Sequence, residues 1–282
     1  MNKINQLFAN RGERKLLSLY FCAGCPTLEG TADVIKTMQR RGIDFIEVGI
    51  PFSDPLADGP VIQTAATKAL KNGMSLSLLL QQLKAARNEV EIPLILMGYL
   101  NPILHYGIEP LPSGRDLSRS PEQTSSLWSR SIEAFCADAA DAGVSGMIIP
   151  DLPFDDYLNI VKPVADRYDL RVIMLITPET SDERIRFIDD HTDGFIYMVS
   201  SAAITGAQKS FDDAKQAYFR RIDAMNLRNP RMIGFGISNK QTLEAANANA
   251  AGAIIGSKFV TLLDETEGDA DAALDRLFAA LT

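Results

Sequence analysis

Short β-branched or apolar runs alternate with helical patterns from one end of the chain to the other. The runs at 16–22, 45–50, 94–99, 146–150, 172–176, 194–199, 232–236 and 253–255 read as eight strands by their length and apolar content. Between them, 31–41, 75–88, 154–167, 182–190, 211–225 and 241–249 read as helices. Most follow an Asp, Ser, Thr or Asn able to accept bonds from the first free helical N–H groups. Such alternation is the pattern of successive βα units around a parallel sheet, and eight strands suffice to close it into a barrel. A leading helix at 2–10 is placed to plug the barrel's bottom, and 270–281 reads as a closing helix. The expectation is an α/β chain: a single (β/α)8 TIM barrel over 1–282 with an extra N-terminal helix.

One stretch breaks the rhythm. Residues 108–131, after the third strand, hold two Pro-flanked segments, a Ser/Arg/Asp-rich centre and Trp128. A long βα loop lies on the catalytic face of a barrel, so this insertion is either a solvated surface excursion or a border of a partner interface.

Composition narrows the field. A chain of 282 residues that is 46% apolar and 23% charged suits one large core. Its net charge of −8 argues against a nucleic-acid or membrane surface as the main partner, since either favours a clustered basic face. The first residues, MNKINQLF, lack the apolar region of a signal peptide. No later run approaches the roughly 18 apolar residues of a membrane span, so a cytoplasmic protein is expected. Three cysteines argue against a disulfide framework. Cys22 and Cys25 have redox-motif spacing, but without a thioredoxin-like context they read better as packing. His105 and His191, with no clustered ligands, leave a metal site unsupported.

In a barrel of this kind the working groups sit at the C-terminal ends of the strands. Glu47 lies within the otherwise apolar second strand, where desolvation would raise its pKa toward neutrality. It is either a proton shuttle or half of a structural ion pair. The loop that follows is stiffened by three prolines and offers Asp54 and Asp58 above the barrel mouth. Asp58 either bonds a donor on the substrate or caps the helix beginning near Val61. Glycine-rich turns after the sixth, seventh and eighth strands, with Thr205, Gly206, Gly236, Gly256 and Ser257, allow backbone amides to approach a phosphate. Lys258 invites a Schiff-base reading, against which strand alternation argues because it would point away from Ser257. Tyr20, Met97, Tyr99, Ile148 and Tyr197, near other strand ends, either wall an aromatic pocket or fill the barrel.

The run from Glu47 to Pro60, EVGIPFSDPLADGP, resembles the signature of tryptophan synthase alpha chains nearly letter for letter. The similarity continues through Ala203-Ile204-Thr205-Gly206, Gly234-Phe235-Gly236-Ile237-Ser238 and Gly256-Ser257 in the same strand order. The resemblance implies a lyase that splits indole-3-glycerol phosphate into indole and glyceraldehyde 3-phosphate, with no cofactor in this subunit. It casts Glu47 as the proton-moving acid, Asp58 as the acceptor of the indole N–H, and Tyr197 as a tyrosine beside the glutamate. Tyr20, Met97, Tyr99 and Ile148 fall where the family lines its indole pocket, and Gly206, Gly236, Gly256 and Ser257 where it binds phosphate. It implies a beta subunit carrying pyridoxal phosphate, an alpha2beta2 heterotetramer, transfer of indole through a tunnel, and a lid made of the loops at 51–58 and 201–210. A stand-alone lyase releasing indole would have the same chemistry. A non-catalytic regulatory alpha subunit would not need both Glu47 and Asp58. The chain departs from the family pattern in the length of 108–131, in Cys25 where an aspartate is common, and in Lys258 where a small residue is usual.

Overall fold

The computed structural model describes residues 1–108, 121–199, 213–234 and 236–282, without the side chains of 121–126. Eight parallel strands close into a barrel in chain order: β1 (Leu16–Cys22), β2 (Phe45–Gly49), β3 (Leu94–Met97), β4 (Gly146–Ile148), β5 (Arg171–Ile176), β6 (Ile196–Val199), β7 (Arg231–Gly234) and β8 (Gly252–Ile255). β1 pairs with both β2 and β8, which seals the ring.

Strand side chains alternate between two faces, and here both faces are apolar. Leu16, Phe45, Ile95, Ile148, Ile173, Phe195, Met232 and Ile254 fill the barrel. Their neighbours, among them Ile46, Val48, Leu96 and Ile233, pack outward in the larger core that includes the helices. Helix α1 (Lys3–Asn10) closes the bottom. Asn2 caps it by accepting from the Ile4 amide at 2.8 Å. Ile4, 1% exposed, belongs to the inner core, and the Phe8 ring lies 5.4 Å from that of Phe195. Gly146 makes room for the plug, since a Cβ there would come within 2.8 Å of Ile4 Cδ1.

Several strands end earlier than the apolar runs suggest: β2 at Gly49, β3 at Met97, β4 at Ile148 and β7 at Gly234. Pro51 and Pro150 supply one reason, because proline has no N–H for a ladder. β6 begins at Ile196 rather than at 194, where Gly194 has φ +100°, outside the strand region. The helix expected near Val61 spans Pro60–Lys71, and helices Leu100–Leu104 and Ser257–Glu265 are additional to those expected. Of the expected insertion, 109–120 lies outside the described residues. Helix Pro121–Asp141 begins within the remainder, with proline at its first position, where a missing N–H costs nothing.

Because Ile4 joins α1 to the inner core, Ile4→Ala is expected to destabilise the fold by about 2–4 kcal/mol. Denaturant unfolding checks this; an unchanged midpoint would mean that the plug contributes nothing.

Candidate active site

Glu47 sits on the inner face of β2. Phe45 two residues earlier is in the inner core, while Ile46 and Val48 pack outward. Glu47 is 0% exposed, and neither carboxyl oxygen has a hydrogen-bond partner among the described residues. No described Lys or Arg pairs with it. A carboxylate here would lose its hydration with nothing in exchange. Burial accordingly raises its pKa to about 8, so the acid is mostly neutral at pH 7.

Two phenols share this compartment, each seated over a glycine of the neighbouring strand. Tyr20 on β1 pairs in register with Glu47, and its hydroxyl occupies the space a Cβ at Gly49 would need. Tyr197 on β6 does the same at Gly234 on β7. Burial, then nearby charge including Glu47 and Asp58, raises both phenols well above their ordinary pKa. These glycines therefore serve as seats for rings.

Asp58 stands on the loop after β2 and is tied down by Tyr99, just beyond β3. The Tyr99 hydroxyl donates to Asp58 Oδ2 at 3.0 Å and accepts from the Ala57 amide at 2.9 Å. The Phe52 ring packs 5.4 Å from that of Tyr99. One residue thus holds the loop at three places. Burial raises Asp58 to about 6, and the hydrogen bond from Tyr99 works in the opposite direction. At pH 7 the site therefore offers one mostly neutral and one mostly ionised carboxyl.

Across the barrel mouth, β8 runs directly into helix Ser257–Glu265, whose N-cap, Gly256, provides no side-chain bond. The first amides of a helix have no intrahelical acceptor, and its dipole favours an anion there. Gly256 abuts Tyr20, a Cβ there lying 3.7 Å from Tyr20 Cβ, so this helix start borders the Glu47 compartment. Gly236, beyond β7, has φ +79°, a conformation that glycine adopts without strain. Ile148 is in the inner core and Met97 packs against it. Thr205 and Gly206, with the whole loop at 201–210, lie outside the described residues.

A sequence profile of the tryptophan synthase alpha chain family matches residues 8–114 and 124–281. The chain is 62% identical over 281 residues to the tryptophan synthase alpha chain of Phocaeicola vulgatus, covering 100% of this chain and 99% of the relative. The chain belongs to the tryptophan synthase alpha chain family. Similar solved structures include tryptophan synthase subunit alpha from Legionella pneumophila, with TM-score 0.81, 31% identity and coverage of 100% and 97%. A tryptophan synthase complex from Pyrococcus furiosus matches with TM-score 0.76, 29% identity and coverage of 95% and 97%.

This alpha chain is a lyase of tryptophan biosynthesis that cleaves indole-3-glycerol phosphate to indole and glyceraldehyde 3-phosphate, and its family does so without a cofactor. No described helix is long and apolar enough to cross a membrane. Cys22 and Cys25 are free, and burial raises both thiols, Cys25 to about 11, leaving little reactive thiolate near neutrality.

Lys258, expected from strand alternation to point away from Ser257, is instead the second residue of a helix, where that alternation does not apply. In the sequence Tyr99 reads as pocket wall or barrel filling, and its bond to Asp58 is not visible there. A phenol just past a strand end beside a stiff acidic loop is the available signal, but the pairing needs the fold. Tyr99→Phe removes the bond that lowers the Asp58 pKa, so the Asp58 carboxyl should titrate above pH 6. A carbon-13 titration of that carboxyl with an unmoved midpoint would show that Tyr99 does not set the ionisation of Asp58.

Proposed function

We propose that Glu47 moves the protons of the cleavage and that Asp58 receives the indole N–H. The observation that carries this reading is the sealed carboxyl of Glu47, unpaired among the described residues and raised by burial to a pKa of about 8. Neutral Glu47 delivers a proton to indole C3. As the C3–C3′ bond breaks, its carboxylate takes the glycerol hydroxyl proton, and the aldehyde of glyceraldehyde 3-phosphate forms. One proton enters and one leaves, so the acid returns to its starting state. Positive charge built up on the ring nitrogen meets ionised Asp58, a stabilisation that grows toward the transition state. Tyr20, Met97, Tyr99, Ile148 and Tyr197 line the indole pocket. Thr205, Gly206, Gly236, Gly256 and Ser257 hold the phosphate, with support from the uncapped start of helix Ser257–Glu265.

The reading extends to a cytoplasmic complex in which this chain pairs with a pyridoxal-phosphate beta subunit as alpha2beta2 and passes indole to it. The similar Pyrococcus furiosus structure, a tryptophan synthase complex, supports it.

Cleavage assays test the roles. Glu47→Gln should lose about 1,000-fold in kcat, within the range for a general acid and base. Asp58→Asn should lose about 100-fold. Wild-type-like turnover in either variant would remove that residue from the mechanism. Wild-type kcat/KM should be bell-shaped, rising as Asp58 ionises near pH 6 and falling as Glu47 ionises near pH 8. A profile flat between pH 5 and 9 would contradict the assignment of the two states. Adding a beta subunit should raise alpha turnover, because enclosure completes the site. High unassisted turnover, unchanged by the partner, would favour a stand-alone lyase.

A further inference from the structure

The opposite end of the barrel carries a second concavity. A cleft of about 670 Å³ lies between the link from α1 to β1, the turn before β6 and the segments leading into β7 and β8. Its volume falls within the roughly 300–1,000 Å³ usual for small-molecule sites. Its walls hold Arg11, Lys15, Arg228 and Arg231 against two carboxylates, Asp193 and Asp223. That is a local positive excess on a chain of net charge −8.

Both carboxylates are already engaged. Asp193 accepts from the Asn5 side chain at 2.8 Å and the Gly194 amide at 2.8 Å, and lies 3.3 Å from Arg171. Asp223 pairs with Arg231 at 2.7 Å. Among the described residues the other three cations bond through their side chains only to carbonyls: Arg11 to that of Arg14 at 3.3 Å, Lys15 to that of Ala250 at 2.7 Å, and Arg228 to those of Asp189 and Thr192 at 2.8 and 2.6 Å. Arg231 Nε is buried and, among the described residues, donates to nothing. A buried donor left without an acceptor costs free energy. The cations also repel one another. Burial first, then Arg11 and Arg231, lowers the Lys15 pKa from its ordinary value, and Asp223 only partly offsets this.

We propose that this basal cleft binds a small phosphate-bearing anion. Guanidinium groups present paired donors that match phosphate oxygens, and lysine adds a point charge. Such a ligand would relieve the repulsion and join the α1–β1 link to the chain entering β7, two segments that no strand ladder connects. Because the cleft is at the end away from Glu47, occupancy would act on stability and leave substrate binding alone.

Inorganic phosphate is the direct probe, read by amide NMR shifts of the full chain. Shifts at Gly256 and Ser257 report the catalytic face; those at Gly194, Asn229 and Ala251 report the basal cleft. The expected result is saturable basal shifts in the wild type that weaken at least ~10-fold in Kd in the Arg11→Gln/Lys15→Gln variant, with cleavage unchanged. Basal shifts that are absent, or that sodium chloride reproduces at equal ionic strength, would overturn the proposal, since salt screening alone would explain them. Should the double variant fail to fold, the wild-type titration with its chloride control still decides.

Discussion

The structure turns on a carboxylic acid sealed inside a barrel with no hydrogen-bond partner among the described residues. Glu47 is fully buried on β2 and surrounded by inward-facing apolar and aromatic side chains, so ionisation there forfeits hydration. A salt bridge would have fixed the charge and held it at low pKa; the lack of one among the described residues leaves the proton on. The enclosure is built from below by Phe45 and the α1 plug and from the side by Tyr20 and Tyr197. The closed bottom thus keeps water from Glu47 on that side.

Asp58 shows how a short distance along one βα unit changes the environment. It lies above the strand, still partly buried, and receives a hydrogen bond from Tyr99 that favours its charged form. The two carboxyls come from one segment, yet the strand holds one neutral and the loop holds the other ionised. A retro-aldol cleavage needs both states together, a proton to give and a negative charge to place near a developing positive one.

Most of the barrel was legible in the sequence, because each strand is a short apolar run and helical patterns, some opened by capping residues such as Ser75, Ser181 and Asn239, lie between most of them. The boundaries at Met97 and Gly234 were not, since the end of a strand depends on where its neighbour's ladder stops. Helix Ser257–Glu265 was missed as well: its Phe259, Val260, Leu262 and Leu263 continue the apolar run of β8 and mask the change of period at Gly256. At the site, Glu47 was conspicuous as a charge in an apolar strand. The roles of Gly49 and Gly234 were hidden, because each is dictated by a tyrosine on an adjacent strand, a relation that appears only once the register is known.

Whether Glu47 is neutral at physiological pH in the substrate-free enzyme is measured directly by carbon-13 NMR of its side-chain carboxyl, assigned by its loss in Glu47→Gln. The expected titration midpoint is near 8. A midpoint in the ordinary glutamate range of about 4.3 would show that burial does not hold the proton there.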